Sequence, residues 1–200
     1  MKRKTLVTAL MAVLLVVCGL GLAACGGPSV EQLIRQDLEE GFSQMKSGDG
    51  DFAKGFEESI QGELGEYGVD SSEFTAAYLD GSDYKIGDIT VDENAGTATA
   101  DVSVTIKQMS DLLAAFLPRA MQASLTTSAT TEDEFNAELA AIMVEETKNI
   151  EPATTDITIT YTRDSDGTWS VDEDALAKSM EEATTGDISK YTELAQSLSE

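Results

Sequence analysis

The stretch Thr97–Ile106, TATADVSVTI, carries the most regular pattern in this chain of 200 residues. Its apolar side chains alternate with polar ones over five repeats: Ala98, Ala100, Val102, Val104 and Ile106. Such alternation predicts a β-strand with one buried face and one face in water, because successive side chains of a strand point to opposite sides. A turn at residues 92–96 precedes it, and a less regular apolar series precedes the turn: Tyr84, Ile86, Ile89 and Val91. Together these segments predict an antiparallel hairpin with one polar face.

A second hairpin is predicted nearer the C-terminus. Ile157, Ile159 and Tyr161 alternate with threonines, which again indicates a strand with one buried face. The turn residues 164–167 follow, and Trp169 and Val171 mark a returning strand. The chain is therefore expected to contain an antiparallel sheet of about four strands, built from two hairpins.

Helical spacing of apolar residues covers most of the remaining chain. It predicts three helices before the first hairpin, the first of which opens with a capping box at Ser29. Two more are predicted between the hairpins, at residues 109–125 and after Thr131, and Pro118 is expected to kink the former or end it near Leu117. Residues 174–183 and 187–199 predict C-terminal helices.

The order of these elements predicts an α+β fold. No strand alternates singly with helices, so a doubly wound parallel sheet is disfavoured. We expect N-terminal helices packed on an antiparallel sheet of about four strands, a helical insertion between the two hairpins, and C-terminal helices. The amphipathic helices would cover the apolar face of the sheet.

The N-terminal residues 1–25, MKRKTLVTALMAVLLVVCGLGLAAC, have the parts of a secretory signal peptide: a basic start, an apolar core and small residues at the end. The last four, Leu22-Ala23-Ala24-Cys25, resemble the lipobox of bacterial lipoproteins. That resemblance implies cleavage between Ala24 and Cys25 and a diacylglycerol on the Cys25 sulfur. The alternative is an uncleaved membrane anchor at residues 6–22, a length of 17 residues at the short limit for crossing a bilayer.

The expected domain organisation follows from this leader. Residues 1–24 would be a lipoprotein signal peptide, residues 25–28 the acylated cysteine and a short spacer, and residues 29–200 a single extracytoplasmic domain. We expect the mature protein on the outer face of the cell membrane, held through the lipid on Cys25, because two acyl chains suffice for stable anchoring. The mature domain would contain no other cysteine, since Cys18 leaves with the leader.

The charge composition excludes several functions. The chain has 13 basic and 37 acidic residues, and removing residues 1–24 would change its net charge from −24 to −27. So acidic a protein repels phosphates, which argues against a nucleic acid partner. The chain has no histidine, so a Ser-His-Asp triad, a Cys-His dyad and a His-ligated zinc site are excluded. Phosphate-binding loops and dinucleotide-binding glycines are also absent from the sequence, and we predict no cofactor.

Candidate chemical motifs have simpler structural explanations. Asp164 and Asp166 match the opening of a calcium-binding EF-hand loop, but Gly167 comes two residues too early. Aspartate, serine and glycine are also the usual residues of turns, so we predict solvated turns and no metal site. Ser43 and Lys46 have the spacing of penicillin-binding serine enzymes, but the other motifs of those enzymes are missing. No catalytic residue is therefore assigned.

Three aromatic residues on predicted strands, Tyr84, Tyr161 and Trp169, would either line a pocket or pack in the core. The same choice applies to the apolar stripe of residues 109–125, which would be core or would face a partner.

The N-terminal helices followed by a sheet ending in Asp-x-Asp-Gly-x-Trp-x-Val resemble small Gram-positive lipoproteins with a nuclear-transport-factor-2-like (cystatin-like) domain. Residues 157–171 carry most of this likeness, with residues 86–106 in support, although the insertion at 108–150 departs from the compact form. The resemblance implies a curved sheet wrapped on a helix, often with a pocket.

The sequence thus predicts a lipid-anchored, non-catalytic module that binds a small ligand, a peptide or an envelope protein. Two alternatives stay open at this stage. One is an envelope hydrolase that uses carboxylates, which requires a buried Asp or Glu of raised pKa in a cleft. The other is a passive lipoprotein whose acidity serves solubility.

Overall fold

Six α-helices and four β-strands make up residues 28–187, the part of the chain that the computed structural model describes. The helices are α1 (Val30–Ser47), α2 (Gly50–Leu64), α3 (Ser71–Leu79), α4 (Met109–Thr126), α5 (Glu132–Asn149) and α6 (Glu173–Thr185), and a 3₁₀ turn, Gly65–Tyr67, follows α2. The strands are β1 (Asp83–Asp92), β2 (Thr97–Ile106), β3 (Ala153–Arg163) and β4 (Trp169–Val171). This order confirms the predicted α+β fold. The predicted cleavage site at Ala24 and Cys25 and the predicted helix at 187–199 lie outside the described residues, apart from Asp187.

The four strands form one antiparallel sheet in the order β1-β2-β3-β4. Its central pair, β2 and β3, is in register along ten residue pairs, from Thr97 opposite Thr162 to Ile106 opposite Ala153. This register places the apolar residues of both strands on one face, where Ala100 is opposite Ile159. The threonines and aspartates of both strands share the opposite face, which we call the outer face.

Helices α1 and α6 cover the apolar, inner face of the sheet. The α1 helix begins with a complete capping box between Ser29 and Gln32 and ends at Gly48, whose φ of 65° suits glycine. Its buried stripe includes Ile34 and Leu38, which are fully buried in one hydrophobic cluster with the inner face. The α6 helix adds further buried residues to that cluster: Leu176, Met180 and Ala183. Among the described elements, none covers the outer face, whose side chains are largely exposed.

The insertion between the hairpins is a pair of contacting helices, α4 and α5. The α4 helix continues past Pro118, so of the two expected outcomes, a kink or an end near Leu117, the end is overturned. Pro118 is exposed, and water can replace the hydrogen bond that its ring removes. The apolar stripe of α4 is only partly core, because Leu112 is buried while Met121 is 43% and Leu125 is 85% exposed. None of the helices in residues 28–187 is long and apolar enough to cross a membrane.

A buried lysine connects the insertion to the N-terminal helices. Lys107, between β2 and α4, is only 2% exposed, and its Nζ donates to Ala77 O at 2.7 Å and Thr147 O at 2.8 Å. These carbonyls belong to the last turns of α3 and α5, where the helix itself supplies no donor. Burial lowers the pKa of Lys107, although the charges of Asp80 and Glu151 act in the opposite direction.

Candidate functional site

The outer face of the sheet is a polar surface of paired hydroxyl and carboxyl side chains. The cross-strand pairs of β2 and β3 on this face are Thr97–Thr162, Thr99–Thr160, Asp101–Thr158, Ser103–Asp156 and Thr105–Thr154. Ser103 Oγ donates to Asp156 Oδ1 at 2.6 Å, and Thr158 Oγ1 donates to Asp101 Oδ1 at 3.1 Å. Each of these two carboxylates is therefore held by a hydroxyl group of the opposite strand.

A β-bulge in β1 shapes the middle of this face. The register shifts between Ile86 and Ile89, so that Gly87 and Asp88 lie against a single residue of β2, Asp101. A Cβ atom on Gly87 would lie 3.2 Å from Asp101 O, so the absence of a side chain allows this close approach. Arg35 of α1 donates from Nη2 to Gly87 O at 3.0 Å, which holds the bulge from the inner side.

Beside the bulge lies an open depression of about 420 Å³. The polar side chains in its lining are Lys85, Asp88, Asp101, Ser103, Asp156 and Thr158. Three carboxylates, two hydroxyls and one ammonium group suit a polar or cationic ligand that is held by hydrogen bonds and charge. In residues 28–187 no group of three or more Asp, Glu or Cys residues is placed to hold a metal ion.

Among the described residues, one carboxyl group has a strongly raised pKa. Asp37 of α1 is partly buried, and its Oδ2 accepts a hydrogen bond of 2.8 Å from the hydroxyl of Tyr161 on β3. Burial raises the pKa of Asp37 to about 6, although the Tyr161 hydrogen bond acts to lower it. This meets the first requirement of the hydrolase alternative. Asp37 is not part of the depression's lining, so the depression does not supply the cleft that this alternative also requires.

The three aromatic residues predicted for a pocket or the core lie in or against the hydrophobic cluster. Tyr161 and Trp169 are buried at 0% and 3% exposure. Tyr84 is half-buried, stacks on Phe42 with ring centroids 5.5 Å apart, and packs against the cluster. None of the three belongs to the lining of the depression.

The acidic turns serve the local backbone. Asp172 accepts from Ala175 N as the N-cap of α6, and Asp166 accepts from Thr168 N at 3.0 Å in the β3–β4 turn. That hydrogen bond keeps the pKa of Asp166 below its ordinary value.

The Ser43–Lys46 pair has separate partners. Ser43 Oγ donates to Glu40 O at 2.9 Å, and Lys46 Nζ lies 2.8 Å from Asp83 Oδ1. Neither contact activates Ser43 as a nucleophile.

The sequence analysis did not single out the depression, Asp37 or Lys107. For the depression the signal was the spacing of Ile86 and Ile89, since a step of three in an alternating strand indicates a bulge. Asp37 lies seven residues after Val30 and three after Ile34, which places it on the apolar side of the α1 helix. For Lys107 the local sequence offers no comparable signal.

No protein-family model, curated protein or solved structure matches this chain. The resemblance to lipoproteins with a nuclear-transport-factor-2-like domain stays a prediction.

Proposed function

We propose that this protein is a lipid-anchored, extracytoplasmic binding module that acts without catalysis. The observation that carries the proposal is the outer face of the sheet: three long strands present hydroxyl and carboxyl groups to solvent, with a depression at the bulge. A face that served only solubility would not require a bulge, a glycine where an added Cβ would lie 3.2 Å from Asp101 O, or carboxylates oriented by hydroxyl groups. The core-facing position of Asp37 favours binding over carboxylate hydrolysis.

The lipobox-like residues Leu22–Cys25 support the location. With only residues 26–29 between the lipidated cysteine and α1, which begins at Val30, the start of that helix would lie within about 18 Å of Cys25, since each of the five steps spans at most about 3.5 Å. The net negative charge would repel an anionic membrane surface, so the domain would be held away from it.

Replacing Cys25 should abolish anchoring. In a bacterial host that processes lipoproteins, Cys25→Ala is expected to incorporate no labelled palmitate and to move out of the detergent-extracted membrane fraction, because the thioether lipid is lost. Fractionation and metabolic labelling measure both effects. The matched control is Cys18→Ala, which should remain labelled. Equal palmitate labelling of the Cys25→Ala protein would refute lipidation at this position.

Ligand binding at the outer face can be tested with thermal unfolding of the full chain in detergent. The probes are Ca²⁺, peptidoglycan fragments, simple sugars, fatty acids and short peptides. A probe at 100 times its Kd should add about 2.7 kcal/mol to the free energy of unfolding, a shift of several degrees in Tm. Ser103→Trp, which fills the depression, should remove the shift, whereas Thr162→Trp, elsewhere on the same face, should keep it. If no probe shifts the Tm, the passive lipoprotein alternative replaces this proposal.

A further inference from the structure

Within residues 28–187, no strand pairs with most of the edge of the sheet beyond β3. Strand β3 begins at Ala153, but β4 pairs only with its last three residues, Tyr161, Thr162 and Arg163. Among the described elements, β2 is the only strand that pairs with residues 153–160 of β3. Half of the backbone donors and acceptors in this segment therefore have no strand partner.

The hydrogen bonds at the end of β3 determine which residues face the open edge. Arg163 N donates to Gly96 O on the β2 side, whereas Thr160 O accepts from Asp172 N on the β4 side. Because backbone groups of successive strand residues point in opposite directions, Thr154, Asp156 and Thr158 point the same way as Thr160. All three side chains are exposed. The edge thus offers three N–H and three C=O groups, the template on which another strand pairs.

The surroundings of this edge are acidic. Asp156 stands on the edge strand itself, and it lines the depression together with Asp101 of the neighbouring strand. Exposed acids also lie at both ends of the hairpin, Glu151 before β3 and Glu173 after β4. Two cationic side chains belong to these elements: Lys85 lines the depression, and Arg163 ends β3 with its guanidinium donating to Glu93 O. A second copy of this chain is a poor occupant, because antiparallel pairing of two such edges would bring like charges together.

We infer that the open edge of β3 binds an extended cationic peptide segment as a fifth strand of the sheet; this inference rests on the proposed binding function. Only an extended backbone can pair with the row of N–H and C=O groups at residues 154–158. In such a strand alternate side chains face opposite sides of the sheet. On the outer side, basic side chains would meet Asp156 and the depression. On the inner side, small apolar side chains would lie beside Ala153 and Thr155, which are half-buried.

The test uses the full chain in detergent and a capped heptapeptide, Lys-Val-Lys-Val-Lys-Val-Lys, as the probe. Isothermal titration is expected to show binding of this peptide and none of its Glu-Val counterpart. Hydrogen exchange should slow at Thr154, Asp156 and Thr158 on binding, because their edge N–H groups become hydrogen-bonded. A peptide with N-methyl groups on every backbone amide keeps the charge but cannot donate backbone hydrogen bonds from either edge, and it should bind at least about 10-fold more weakly, the effect of about 1.4 kcal/mol of lost hydrogen bonding.

Two variants separate the backbone edge from the charge. Thr158→Pro removes an N–H that points away from β2, so the sheet should keep its fold while peptide affinity falls at least about 10-fold. Asp156→Lys reverses the charge beside the edge. It should lower the peptide affinity by a similar factor and reduce the salt dependence of that affinity. Glu58→Lys, the same charge change at an exposed site on α2, is the matched control and should leave affinity within about 2-fold apart from the general charge effect.

Equal binding of the Lys-Val and N-methylated peptides would overturn the inference, and that result does not depend on whether Thr158→Pro folds. Equal binding of the Glu-Val peptide would overturn the cationic preference and the inference with it. If no peptide binds while another probe shifts the Tm in a Ser103-dependent way, the edge inference fails and the proposed binding function stands. If the peptides do not bind and no thermal-shift probe has any effect, the edge inference and the proposed binding function both fail.

Discussion

Replacing Lys107 with methionine is expected to lower the free energy of unfolding by about 2–4 kcal/mol. Methionine keeps the apolar stem but removes the ammonium group that donates to Ala77 O and Thr147 O. Two helix-terminal carbonyls would then lie buried without a donor, at about 1–3 kcal/mol each before the gain from no longer burying a charge. Removing a cation from the C-terminal ends of two helix dipoles adds to the loss. Denaturant unfolding, with the midpoint and slope fitted together, measures the effect.

Lys85→Met is the matched control for this prediction. Lys85 lies on the exposed side of β1, and the same substitution there should change the free energy of unfolding by less than about 0.5 kcal/mol. The Lys107 variant should also show where the damage falls, since amide exchange should rise first in the last turns of α3 and α5. A loss below about 0.5 kcal/mol would mean that water or a neighbouring donor satisfies both carbonyls.

The strands of this fold could be predicted from the sequence because successive side chains of a strand point to opposite faces, which makes apolar and polar residues alternate. In β2 the alternation is unbroken, and the structure has the strand at Thr97–Ile106. In β1 the apolar spacing changes from two to three between Ile86 and Ile89, and that irregularity is the bulge itself. The irregular spacing in the sequence therefore indicated the position of the bulge, although it did not show which residues lie opposite the bulge.

The buried polar groups could not be predicted in the same way, because their partners come from distant segments. Lys107 donates to carbonyls that are 30 and 40 residues away in the sequence, and Asp37 accepts from Tyr161, which is 124 residues away. Spacing within one helix shows which side a residue occupies, but it does not show what the tertiary fold places opposite. The α4 stripe has the same limitation, since apolar periodicity predicted its helix but not the exposure of Leu125.

Burial of the Asp37 carboxyl group should make the protein more stable in mild acid. Burial raises the pKa of Asp37 from 3.8 to about 6, so the folded state binds a proton more tightly than the unfolded chain does. The resulting stability is fully present below pH 3.8 and is lost as the pH rises through about 6. Because Asp37 is partly open to water, we expect a change of about 1–2 kcal/mol across this range.

Asp37→Asn should remove this pH dependence. Asparagine is neutral like the protonated acid, and its carbonyl can still accept from the Tyr161 hydroxyl. The variant is expected to be more stable than the native protein by about 1–2 kcal/mol at pH 7 and nearly equal to it at pH 4. The difference between the two curves isolates Asp37, since every other acidic residue titrates in both proteins. Urea unfolding at pH values between 4 and 8 measures it.

Tyr161→Phe tests the hydroxyl side of the same contact. It should cost about 1.5–3 kcal/mol at pH 7, where the acceptor is a carboxylate, and about 1 kcal/mol at pH 4, where the acceptor is neutral. In the Asp37→Asn background this difference between the two pH values should disappear. If Tyr161→Phe costs the same at both pH values in the native background, Asp37 does not titrate in this range. The size of that cost would then give the charge state of Asp37, since about 1 kcal/mol indicates a neutral acid and about 1.5–3 kcal/mol a carboxylate at both pH values. In either case the acid stabilisation would have another source.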